Sequence, residues 1–168
     1  MAQLIKHGIA ATDSWQILEL GEGEAPETVA LPDGDIIFPL AVWQARKDEI
    51  VSRPTIGLLL QPADRVEDVA GELASFNLIA VNFPKFVDGR GYSTAALLRQ
   101  RYGYTGELRA VGDVLHDQLF FMRRVGFDSY ALKDGKSLDY AIAAGFKPFT
   151  EAYQGATDQA QPYFRRRA

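Results

Sequence analysis

From Thr55 onward short apolar runs alternate with amphipathic stretches, and the pattern predicts strands and helices in turn. Thr55–Leu60 (TIGLLL) is an unbroken apolar run after Pro54, the mark of a buried strand. Pro62 stops it, and Asp64 with Glu67 three residues on forms a capping-box-like start for a helix over about 65–75. Leu78–Phe83 (LIAVNF) predicts the next strand, Ser93 caps a helix over about 94–102, and Gly103 ends it. Glu107–Gly112 (ELRAVG) predicts a third strand, with Asp113 capping the following helix, VLHDQLFFMRRV, up to Gly126. Ser129–Leu132 predicts a fourth, short strand, and Ser137 caps a helix over Leu138–Ala144 that Gly145 stops. The endings RYGY, RVGF and AAGF share a glycine and an aromatic, which predicts a left-handed C′ glycine with the ring folded back on the core.

Strands starting at 55, 78, 107 and 129 make short βα units, which favour a parallel sheet with right-handed crossovers. The expected fold class is therefore α/β. The spacing is near that of the (βα)₈ unit and favours a half-barrel, while a small open, flavodoxin-like sheet fits the same rhythm. The first 54 residues read differently: a strand at Trp15–Leu20, a turn at Leu31–Asp35, a short strand at Ile36–Phe38 and a helix over about 40–47 begun by Pro39. They predict a β-rich cap or edge hairpin on a single domain of 168 residues, with βα units over 55–150 and a polar, frayed tail over 155–168.

Composition narrows the chemistry. The chain has no cysteine, which removes disulfides, thiolate zinc sites, cysteine-ligated clusters and cysteine nucleophiles together. A net charge of −4 argues against general nucleic-acid binding. That charge is uneven: residues 1–85 carry 6 Lys/Arg against 13 Asp/Glu, and residues 86–168 carry 12 against 9. The mildly basic second half suits an anionic ligand or an acidic partner. No signal-peptide-like segment and no membrane-length apolar run is present, so a cytoplasmic location is expected.

In parallel α/β folds chemistry sits where strands end and helices begin, which directs attention to 61–64, 84–93, 112–117 and 133–137. In FPKFVDGRGYST, two glycines flank Arg90, Lys85 precedes it, and Ser93 sits at the expected helix start. Free N–H groups, a helix dipole and a guanidinium fork suit an anion. As a dinucleotide fingerprint the segment fails, because Thr94 stands where the third glycine belongs. In RAVGDVLHDQ, alternation puts Arg109 and Val111 on one face of a strand, opposite Ala110. Asp113, His116 and Asp117 follow as candidates for handling a proton. Lys85, Asp88, Arg90, Asp113 and Asp117 are expected to converge at one end of the sheet. No metal site is expected, since no HxH or HxxxH pattern occurs, and no GxSxG, P-loop or HExxH is present.

At these same residues, FPKFVDGRGYSTAALLRQRYGYTGELRAVGDVLHDQLFFMRRVGFDSYAL (83–132), the chain resembles the bacterial family catalogued as domain of unknown function 934. DGRGYS, the ELRAVGDVL–DQL stretch and the MRR–GFD ending occur together and in order. The resemblance implies an association with sulfur assimilation, because members tend to be encoded beside assimilatory sulfite reductase; it carries over no catalytic residues. Two expectations follow. One is an accessory protein of sulfite reduction that docks on the reductase haemoprotein and holds no flavin, haem or metal of its own. The other is a small α/β enzyme or binder of an anionic metabolite, with Lys85, Arg90, Ser93 and Arg109 holding the anion. Oligomeric state stays open, a homo-oligomer included.

Overall fold

The computed structural model of the chain describes residues 2–147, 149 and 151–166. The chain begins with an antiparallel hairpin, β1 (Ala2–Lys6) and β2 (Ile9–Asp13). His7 and Gly8 turn it, both at positive φ (51° and 82°), as a two-residue loop with the strand-matching twist requires. Then follow β3 (Gln16–Ile17), β4 (Ile36–Pro39), α1 (Leu40–Ile50), β5 (Gly57–Leu60), β6 (Leu78–Phe83), α2 (Arg90–Ala96) and β7 (Glu107–Gly112). The remaining elements are α3 (Leu119–Val125), β8 (Ser129–Tyr130), α4 (Leu138–Ala144) and α5 (Tyr163–Arg166).

All eight strands form one mixed sheet in the order β2-β1-β8-β7-β6-β5-β4-β3, curled into a half-barrel. From β3 to β8 every pairing is parallel, and the neighbours follow chain order. Sequential parallel strands joined by right-handed crossovers place their helices on one side, with no switch point, which is why the sheet curls instead of lying open. Side chains sort accordingly. Phe38, Leu58, Ile79, Leu108 and Tyr130 face the helices and share a core with Trp43, Ala95, Leu98 and Met122. Their alternates Ile37, Leu59, Leu78, Ala80 and Val111 form a second buried cluster on the concave face, partly covered by Trp15.

The first 54 residues do not form a cap. An edge hairpin is present, but it is β1 and β2 over residues 2–13, where no strands were expected. The strands expected at Trp15–Leu20 and Ile36–Phe38 pair in parallel as β3 and β4, and β4 with α1 forms another βα unit in the same sheet, with β3 outside it. Residues 2–17 thus supply both edges of the sheet. Asp13 ends β2 at one edge and Gln16 begins β3 at the other, with only Ser14 and Trp15 between them. Three residue steps reach at most about 11 Å, so the curl brings the two edges close together there. Asp35 anchors the crossing. Its carboxylate accepts from Ser14 Oγ (2.9 Å) and Thr55 Oγ1 (2.6 Å), and its carbonyl accepts from Gln16 N (2.9 Å).

Several expected boundaries shift. The stretch after β5 is two 3₁₀ turns, Val66–Val69 and Leu73–Ser75, instead of a helix over 65–75. Asp64 is engaged elsewhere, accepting from Gln61 N at 2.7 Å. α2 begins at Arg90 and runs on as a π-turn through Leu97–Arg101, so Ser93 lies inside it and caps nothing. Asp113 is not a cap either: a 3₁₀ turn at His116–Gln118 precedes α3, and Gln118 Oε1 accepts from Leu115 N there. Gly103 (φ 64°) and Gly126 (φ 113°) are left-handed as expected, whereas Gly145 is right-handed at φ −70°. The tail is tied down where described: Arg124 donates to Gln154 O, and Thr157 N donates back to Arg124 O. Arg167 and Ala168, its last two residues, lie outside the described part.

Candidate functional site

The concave face and the crossing at Ser14–Trp15 make a cup whose mouth lies at the C-terminal ends of the parallel strands. Trp15, Ile17 and Glu19 alternate inward along β3 and its extension, and Gly57 leaves room for the Trp15 ring, which a Cβ would approach to 3.0 Å. The floor is ionic. Arg109 is 3% exposed; its Nη1 donates to Asp13 (2.8 Å), and its Nε and Nη2 donate to Glu107 Oε1 (3.0 and 2.7 Å). Lys6 Nζ pairs with the other Glu107 oxygen at 2.5 Å. Burial pushes the Glu107 carboxyl up, but Lys6 and Arg109 outweigh it and hold the group below the usual carboxylate range. This network of two cations and two carboxylates stitches the N-terminal hairpin to the central strand β7.

Above the floor the cup divides into two lobes that share Ile17, Glu19, Val111 and Gly112. The first, about 540 Å³, runs from Asp13, Trp15 and Arg109 up to Lys133 and Asp134. The second, about 680 Å³, lies against Leu20, Pro39 and Leu59, with Gln61, Asp64 and Asn82 at its polar end. Gln61 and Asn82 occupy neighbouring strand positions, and Asn82 Nδ2 donates to Gln61 Oε1 at 2.7 Å.

Beside the mouth, the loop from β6 to α2 is braced at three points. Phe86 N donates to Asp113 Oδ2 (3.0 Å), Asp88 N to Lys85 O (2.9 Å), and Arg90 grips Asp88 through Nε and Nη2 (3.0 and 2.7 Å). Asp113 is paired in turn with Lys133 of the loop after β8, at 2.9 Å. Lys133, with the Phe86 N–H, holds the Asp113 carboxyl below its ordinary range against the cost of desolvation. The braced loop presents Phe86 (48% exposed) and Val87 (84% exposed) to solvent.

The loops after β6, β7 and β8 therefore meet through Phe86, Asp113 and Lys133, while the other predicted residues take separate places. Arg109 lies in the floor, with Val111 on its face of β7 and Ala110 on the other. Arg90 and Lys85 are exposed on the loop outside the cup, and Ser93 is exposed on α2. His116 packs edge-on against Tyr140 of α4, with ring centroids 4.9 Å apart. Asp117 is exposed, and its charge adds to burial in pushing the Tyr92 phenol up. Asp13, Trp15, Glu19 and Lys6 were not singled out from sequence, because nothing local links them to the central strand β7, more than 85 residues away. Gln61 and Asn82 carried a weak signal: polar side chains at the ends of apolar strands, in step with the inward alternation.

Among the described residues, no group of three or more His, Asp or Glu is placed to hold a metal ion, and no helix is long and apolar enough to cross a membrane. No curated protein matches the chain. A family model described as "Bacterial protein of unknown function (DUF934)" matches residues 57–164, more than half of it and spanning β5 to α5.

Proposed function

The chain belongs to the bacterial family of unknown function DUF934, and we propose for it an accessory role in assimilatory sulfite reduction, docking on the reductase haemoprotein. The observation that carries a docking role is the braced tip at Phe86 and Val87. Two apolar side chains held in water are unfavourable in the free protein, and each contributes roughly 1.5–3 kcal/mol once buried by a partner. Holding the loop beforehand through Asp113, Lys133 and the Asp88–Arg90 pair lowers the ordering cost of association. Lys85, Arg90 and Lys133 stand exposed beside the tip, so the fitting partner has an apolar socket with an acidic rim. The choice of the reductase rests only on the association with sulfur assimilation that the resemblance implies.

The anion-binding alternative draws less support. Arg90 already grips Asp88, Arg109 already serves two carboxylates, and the two side chains lie in different places. The test is capture of purified reductase haemoprotein by the tagged chain. Wild type should retain it, and a Phe86→Ser/Val87→Ser variant with unchanged melting temperature should lose at least tenfold in affinity. Failure of the wild type to retain the haemoprotein rejects the reading.

A further inference from the structure

The second lobe of the cup has a chemical character of its own. Most of its wall is apolar, from Leu20, Pro39, Leu59 and Val111, and its charged lining residues are Glu19 and Asp64. Among the described residues no Lys, Arg or His lines it. Among the described residues neither carboxylate has an ion-pair partner: Asp64 accepts only the Gln61 backbone N–H there, and Glu19 accepts nothing. Asp64 is half-buried and Glu19 exposed, so the apolar wall strengthens the field of Asp64 inside the lobe more than that of Glu19. An anion is repelled there, and a cation is drawn in.

The amide pair completes the acceptor set. With Asn82 Nδ2 donating to Gln61 Oε1, Asn82 Oδ1 is left to accept; the doubly flipped pair, with Gln61 Nε2 donating to Asn82 Oδ1, equally leaves one carbonyl and one NH₂ with spare capacity. A primary ammonium has three N–H donors and no acceptor. Asp64 and one amide carbonyl at the polar end, with Glu19 on the border between the lobes, supply acceptors for it, while the apolar wall takes a hydrocarbon body. At about 680 Å³ the lobe falls in the size range of small-molecule sites.

We infer that this lobe is a binding site for a small organic amine, a primary ammonium attached to an apolar body, held by Glu19, Asp64 and the Gln61–Asn82 pair. The site is independent of the Phe86–Val87 tip, and its ligand has the opposite charge to the anionic metabolite considered above.

Isothermal titration of the full-length protein with 2-phenylethylamine and with phenylacetate tests it, because the two probes share a ring and a size but differ in the sign of charge. The amine should bind and the carboxylate should not, and added salt should weaken the amine. Glu19→Gln and Asp64→Asn should each lower the amine affinity about tenfold or more, as for loss of a charge-assisted hydrogen bond. Glu19 is exposed and makes no hydrogen bond in the fold, so its variant reads binding without a folding defect. Phenylacetate binding as tightly as the amine, no amine binding at millimolar concentration, or amine binding indifferent to Glu19→Gln would each overturn the assignment.

Discussion

Arg109 sits between two carboxylates where little water reaches, and its environment determines what its loss would do. Removing it leaves Asp13 without its cation and Glu107 with Lys6 alone. Breaking a buried pair from one side costs on the order of 3 kcal/mol, so Arg109→Met should lower the melting temperature by roughly 6–12 °C for a chain of this size. Arg90→Ala removes a pair exposed to solvent and should shift the melting temperature far less; calorimetry on both variants separates brace from surface. Glu107 gives the pH dependence. Its folded-state value is depressed, so its contribution is complete above the ordinary carboxylate range and is lost as pH falls through the folded value. The stability gap between wild type and Glu107→Gln should accordingly be widest near neutrality and close in acid; a gap constant from neutrality into acid would contradict this. The strand alternation that faces Arg109 inward was legible from sequence, but its partners were not. Asp13 and Lys6 are 96 residues from Arg109 and 101 from Glu107, respectively.

The parallel strands of the βα portion were legible because each is a short apolar run with a stop, and a buried parallel strand needs nothing else. Helix starts were less so, since Ser and Asp side chains have other uses. Asp64 bonds its own turn, Asp113 reaches across to another loop, and α2 starts three residues before Ser93. What sets α2 on the sheet is Gly91, where a Cβ would come within 2.6 Å of the Phe83 ring. Gly91→Ala should therefore push the helix off β6 and cost roughly 1–3 kcal/mol as overpacking, read as a lower urea midpoint with an unchanged slope. A variant as stable as wild type would mean that the Phe83 ring moves aside freely.

For the molecule as a whole, the unit of folding is larger than the βα repeat that announces it. Residues 55–168 alone would lack β1 to β4 and α1, leaving β5 and β8 as bare edges and uncovering Leu59, Leu78 and Ala80. That fragment should aggregate or unfold without a cooperative transition, and a sharp thermal transition from it in soluble form would refute the assignment of both edges to the N-terminal segment. The sequence hid this arrangement because a strand's neighbour is not encoded near it: β1 pairs with β8, matching Ile5 to Tyr130. The same pairing sets an order of events during synthesis. The hairpin leaves the ribosome ahead of the strand it must lie beside, which is about 125 residues behind, and at roughly 5–20 residues per second that is a wait on the order of 6–25 s. Through that interval Leu4 and Ile5, both buried in the finished protein, have no partner in β8, so the nascent chain carries this apolar hairpin exposed until β8 emerges, and only then does that wall of the half-barrel close.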